Sequence, residues 1–146
     1  MKIKLFTIGF TQKTAQDFFE TLAKVGVKKV IDTRINNTSQ LSGFAKKNDL
    51  QYFLKSLQGI NYDHTLSLAP TKELLGQYRK KEISWEDYEN KFYQLISDRA
   101  IEKQLSPDSL HCSCLLCSEA KPHYCHRRLV AEYLQQKWGN LEICHL

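Results

Sequence analysis

The first 34 residues constrain the fold most. KIKLFTIG (residues 2–9) is an apolar run that stops at a glycine. TAQDFFETLAKVG (residues 14–26) places Phe18, Leu22 and Val25 at helical spacing, with Thr14 as a cap and Gly26 as a stop. VKKVIDTR (residues 27–34) is a second short apolar run. Strand, helix and strand with short joins predict a βαβ unit and a parallel sheet.

The alternation continues. DLQYFLKSLQGI predicts a helix capped at Asp49 and ended near Gly59, and NYDHTLSL (residues 61–68) a third strand. TKELLGQYRKKE and SWEDYENKFYQLISDRAIEKQL predict helices, the second opened by Ser84 with Asp87 three residues on. SLHCSCLLCS (residues 109–118) is apolar or small throughout, as a strand buried on both faces must be. CHRRLVAEYLQQKWG then predicts a helix and LEICHL (residues 141–146) a last strand. The expected architecture is a three-layer α/β fold. It has a mostly parallel sheet of about five strands with helices on both faces, and residues 1–146 form one domain.

Composition narrows the setting. No apolar run approaches the roughly 20 residues that span a bilayer, so no membrane is expected as a partner. The opening apolar run is short and lacks a small-residue cleavage site, so it reads as a strand, not a signal segment. This places the protein in the cytoplasm, where thiols stay reduced; five cysteines also leave one over from any closed disulfide set. A net charge of +5, from 21 basic and 16 acidic residues, favours an anionic partner: a small molecule or nucleotide, or nucleic acid. The lysine pairs are scattered, as on an ordinary solvated surface. Tyr52, Tyr62, Tyr78, Tyr88 and Tyr93 fall mostly at core-like helical spacings and are not read as a base-stacking platform.

Ligands of open α/β sheets bind at the carboxyl ends of the strands. That rule gathers Gly9 and Thr11 after the first strand, and Asp32, Arg34 and the polar loop to Ser39 after the second. It adds Cys117, Ser118 and Glu119 after the fourth. The segment CSCLLCSEAKPHYCHRR (residues 112–128) holds four of the five cysteines. Cys112 and Cys114, two apart in the expected strand, read as core thiols on one face. Cys117, at the strand exit, and Cys125, near a helix start beside Arg127 and Arg128, are candidate nucleophiles. A strand, a loop and a helix start with arginines also make an anion site, with Arg34 aimed at the same crevice. Arg34 has a structural alternative, an ion pair with Asp32. Zinc on these cysteines and His126 is the weakest reading, and no cofactor is expected. His64 and His126 are candidate proton carriers or orienters, as is Glu119.

These stretches resemble the bacterial domain-of-unknown-function family number 488 over nearly the whole chain. TIGFT looks like the family's Thr-Ile-Gly-His-Ser, and DTRINNTS like its Asp-Val-Arg with a following Pro-x-Ser turn. Phe44 matches a phenylalanine after that loop, and GINYDHTLSLA is similar to its Gly-Ile-x-Tyr-x-His. LLCSEAKPHYCHRRLVAEYL looks like its hallmark Leu-Leu-Cys-Ala-Glu then Cys-His-Arg, and ICHL like its closing strand. This chain departs at Phe10 (for histidine), Thr11 (for serine), Asn37 (for proline) and Ala69 (for glycine). The first departure removes a candidate acid or base. The resemblance implies an α/β fold and no established reaction. Carried over by position, it points to Gly9, Thr11, Asp32, Arg34, Ser39, Tyr62, His64, Cys117, Glu119, Cys125, His126 and Arg127. The expected function is a small enzyme or former enzyme with a phosphate or nucleotide crevice, with or without thiol chemistry. The alternatives are a non-catalytic nucleotide or nucleic-acid binding module and a metal-stabilised interaction domain. The sequence carries no indication of oligomeric state.

Overall fold

Apolar residues on both sides of the central strands require a covered sheet, and the computed structural model has one. It describes residues 2–35, 43–119 and 124–146; Asn37 and Ser39 lie outside them. Five parallel strands are ordered β3-β2-β4-β1-β5. They are β1 (Ile3–Gly9), β2 (Lys29–Asp32), β3 (Asn61–His64), β4 (Ser113–Cys117) and β5 (Leu141–His145). β4 is buried along its whole length, as its apolar run demands, whereas β3 and β5 are edges and alternate or open to solvent. β1 and β2 are not neighbours, because β4 lies between them.

The pleat sends successive side chains to opposite faces and so builds two cores. Phe6, Ile8, Val30, Cys114 and Leu116 face α1 (Ala15–Lys24) and α2 (Lys47–Gln58), which contribute Phe18, Phe19, Leu22, Leu50 and Leu54. Ile3, Leu5, Ile31 and Leu115 face the other helices. These are α3 (Lys72–Arg79), α4 (Trp85–Asp98), α5 (Ile101–Gln104), α6 (Pro107–Leu110) and α7 (His126–Trp138). Hence β2 leads to a helix on one face and β4 to a helix on the other. The chain parts between their carboxyl ends, where a crevice is expected.

Several local expectations change. Thr14 caps α1 by accepting from the Asp17 N–H, and Gly26 takes φ 81°, but Phe19 and not Val25 completes the buried face. Asp49 sits in the first turn of α2 and does not cap it; the cap position is Lys46. The segment after Ser84 is two helices, broken at Ala100, whose φ is 54°. Cys112 is not in the strand. It sits in a turn at φ 62°, with its N–H on the Lys4 carbonyl and its own carbonyl accepting from Lys28. Only Cys114 of that pair is a core thiol, and burial raises its pKa well above the ordinary thiol value. Residues 61–68 are a strand only to His64; Leu66–Leu68 forms a 3-10 turn. Among the described residues no helix is long and apolar enough to cross a membrane.

Candidate functional site

Asp32 ends β2, and Arg34 follows two residues later, on the same side of the extended backbone. Both are buried. The guanidinium clasps the carboxylate with two bonds, Nε to Oδ1 at 2.9 Å and Nη2 to Oδ2 at 2.8 Å. Nη2 also donates to the Ala45 carbonyl at 2.7 Å. β3 braces the pair from the sheet edge. Tyr62 donates its hydroxyl to Asp32 Oδ2 at 2.6 Å, and His64 Nε2 donates to the Arg34 carbonyl at 2.6 Å. Burial pushes the Asp32 carboxyl up; the bonds and charge of Arg34, with the Tyr62 hydroxyl, outweigh it and hold the pKa below the usual carboxylate range. Phe10 lies under the guanidinium, 5.2 Å from ring centre to Cζ, where its π-face attracts the cation. Arg34 Nη1 is left buried and without a hydrogen-bond partner among the described residues.

Arg127, from the first turn of α7, is fully buried beneath the ends of β1 and β4. Its Nε donates to Thr7 Oγ1 at 3.2 Å, and its Nη1 donates to the Glu119 carbonyl at 2.6 Å and to Cys117 Sγ at 3.6 Å. Burial lowers its pKa to about 10, against the opposing charges of Cys114 and Glu119, so it stays cationic at neutral pH. Gly9 is required here. A Cβ on it would stand 1.5 Å from the Glu119 carbonyl oxygen and 2.9 Å from Arg127 Nη1. Thr11 completes the join of β1 to β4, its N–H and hydroxyl both donating to the Ser118 carbonyl.

Cys117 closes β4 and Cys125 is the N-cap of α7. The structure joins their sulfurs as a disulfide, which the expectation of a reduced set did not include; their Cα atoms lie 7.4 Å apart. His126 is next. Its Nε2 contacts the Thr33 carbonyl at 2.8 Å and the Thr33 hydroxyl at 3.0 Å. That hydroxyl gives its own proton to the Leu116 carbonyl at 2.7 Å. Both neighbours of Nε2 are therefore acceptors, so Nε2 carries the hydrogen and Nδ1 is the bare nitrogen. Burial lowers the His126 pKa to about 4, partly offset by the Thr33 bond.

Above these groups opens a cleft of about 260 Å³. Arg34, Cys117, Ser118, Glu119, Cys125 and His126 line its sheet side, and Arg79, Pro70 and an aromatic wall line the other. In that wall Trp85 stacks on Tyr88 at 5.0 Å and meets Tyr78 and Tyr124 edge-on, both at 5.4 Å. Two tyrosines with core-like spacing, Tyr78 and Tyr88, thus border the cleft. Helical spacing missed this because the wall is assembled from α3, α4 and the turn before α7. The one local signal was Tyr124, adjacent to Cys125.

The expected site residues therefore divide. Arg34, Cys117, Glu119, Cys125 and His126 meet in the cleft. Asp32, Tyr62 and His64 stand behind Arg34, while Gly9, Thr11 and Arg127 hold the strand ends beneath. Arg127 does not line the cleft. Ser39 lies outside the described residues.

No curated protein and no solved structure matches the chain. The sequence profile described as "Domain of unknown function DUF488" matches residues 14–134, a span that takes in β2 to β4 and most of α7, and with that match the chain belongs to the DUF488 family.

Proposed function

We propose that the cleft binds a small phosphorylated ligand that carries a flat ring, of nucleotide type. The observation that carries this is Arg34. Its guanidinium is held by Asp32 and the Ala45 carbonyl, with Tyr62 bracing Asp32 and His64 bracing the Arg34 backbone, yet Nη1 is buried and, among the described residues, unpartnered in a side chain that lines the cleft. A buried N–H with no acceptor is costly, and an anionic oxygen relieves that cost with a charge-assisted bond. Arg79 adds a second cation on the aromatic side, and Tyr78, Trp85 and Tyr124 offer ring faces and edges to a planar group. Cys117, Cys125 and His126 form the floor against which the bound group rests. A neutral His126 with its proton fixed on Nε2 orients the ligand and is not a general acid at neutral pH. Arg127 supports the floor and takes no part in holding the anion.

Trp85 makes the test direct. Titration with nucleoside monophosphates and with inorganic phosphate is expected to change its fluorescence. Arg34→Lys keeps the charge beside Asp32 but removes the fork, and is expected to weaken binding about 10- to 100-fold. Equal affinity for Arg34→Lys, or no response to any phosphorylated ligand, overturns the proposal.

A further inference from the structure

We propose that, once reduced, Cys117, Cys125 and His126 form a three-ligand site for a thiophilic divalent cation, zinc foremost, with its remaining position open to the cleft. The two sulfurs and a ring nitrogen of His126 lie within 4.8 Å of one another. Two thiolates and an imidazole are the donors zinc prefers, and three protein ligands plus an open position is the pattern of a reactive zinc site, not a structural one.

Four further features fit. The Cα separation of 7.4 Å exceeds the roughly 4.4–6.8 Å that a disulfide usually spans. Two thiolates each about 2.3 Å from a shared zinc hold their sulfurs farther apart and suit the wider span. The Thr33 carbonyl and hydroxyl hold the hydrogen on His126 Nε2, which presents Nδ1 with a free lone pair. A backbone carbonyl behind a ligating histidine is the usual outer partner of such sites. Arg127 Nη1 reaches Cys117 Sγ at 3.6 Å and favours its thiolate, and Cys125 stands at the amino end of the 13-residue α7. All three ligands line the cleft, so the open position faces it and takes water or an anionic oxygen.

The disulfide is the oxidised form of this site. A phosphine reductant supplies two electrons and the S–S bond breaks; one water gives its two protons to complete two thiols and its oxygen to the phosphine oxide that leaves. Metal binding then displaces both thiol protons to solvent. The site borders the cleft of the preceding proposal but does not depend on it, since a metal is read here without any phosphorylated ligand.

The experiment uses the full chain with Cys112→Ser and Cys144→Ser, reduced with a phosphine, freed of metal and titrated with cobalt(II). One cobalt per chain is expected, with a thiolate-to-cobalt charge-transfer band and tetrahedral visible bands, both abolished by one equivalent of zinc. Cys117→Ser is expected to halve the charge-transfer intensity and weaken binding at least tenfold. In the unsubstituted chain, zinc is expected to protect Cys117 and Cys125, and not Cys112 or Cys144, from alkylation mapped by mass spectrometry. This second arm holds even if a serine variant does not fold. Absence of the band in folded reduced protein, protection of the other thiols instead, or a disulfide that opens only on unfolding overturns the proposal.

Discussion

Two arginines are buried at neighbouring strand ends, and they are held differently. Arg34 grips a carboxylate through two bonds and is braced from β3 by Tyr62 and His64. Arg127 has neutral acceptors, the Thr7 hydroxyl, the Glu119 carbonyl and the Cys117 sulfur; among the described residues no carboxylate forms an ion pair with it. The first guanidinium is neutralised in place; each arginine keeps one buried nitrogen, Arg34 Nη1 and Arg127 Nη2, without a hydrogen-bond partner among the described residues. The second is a buried positive charge whose Nη1 reaches Cys117 Sγ at 3.6 Å. One arginine is therefore held by a carboxylate, and the other is a buried cation held by neutral groups, one of them the Cys117 sulfur.

The largest effect expected is at Gly9, where the two strand ends meet over Arg127. Gly9→Ala drives a Cβ into the Glu119 backbone, which has no flexible side chain to yield. We expect a loss of at least about 4 kcal/mol, read as little folded protein or a much lower urea midpoint. A variant within about 1 kcal/mol of the parent would show that the β4 exit is free to move and that Arg127 is not clamped.

The arginines themselves come next. Arg34→Met leaves Asp32 buried without its cation and is expected to cost about 3–5 kcal/mol. Arg127→Met removes a charge with which no carboxylate of the described residues forms an ion pair and leaves three acceptors, Thr7 Oγ1, Cys117 Sγ and the Glu119 carbonyl, short of one bond each, an expected cost of about 1–3 kcal/mol. Equilibrium urea unfolding of the two variants ranks them. A larger cost at Arg127 would reverse the comparison, and would mean that its neutral acceptors compensate the charge better than a carboxylate does.

The two arginines were also unequally legible in the sequence. Asp32 and Arg34 share a face by their spacing of two, which allows either an ion pair or an anion site; the fold has the ion pair. Nothing in CHRR tells that Arg127 points inward beneath β1 and Arg128 outward to Glu89 and Glu132, because the helix's rotation is set by packing on a sheet whose strand order is non-local. The apolar runs revealed the strands. They misplaced Cys112, because a turn of small residues at positive φ has the same composition as a buried strand. The aromatic wall escaped for the opposite reason: Trp85 and Tyr88 have the spacing of ordinary core residues, and only the approach of Tyr124 makes them a cleft border.

The smallest effect expected is on pH dependence, and it separates the two sites without mutating either arginine's neighbours in the cleft. The folded-state pKa of Asp32 lies below the ordinary carboxylate value, so its contribution to stability is present in full above that value, about 3.9, and is lost as pH falls through the folded one. Asp32→Asn mimics the protonated state at every pH. The difference in unfolding free energy between the parent and Asp32→Asn is therefore widest above about pH 4.5 and narrows steadily toward pH 2. The corresponding difference for Arg127→Met has no paired carboxylate to titrate and stays nearly level over the same range. Two parallel, level differences would mean that Asp32 titrates as it does in the unfolded chain and that its bond to Arg34 stabilises nothing. A sloping difference for Arg127→Met would instead show that the Glu119 carboxylate, whose charge already opposes the lowering of the Arg127 pKa, contributes measurably to holding that arginine.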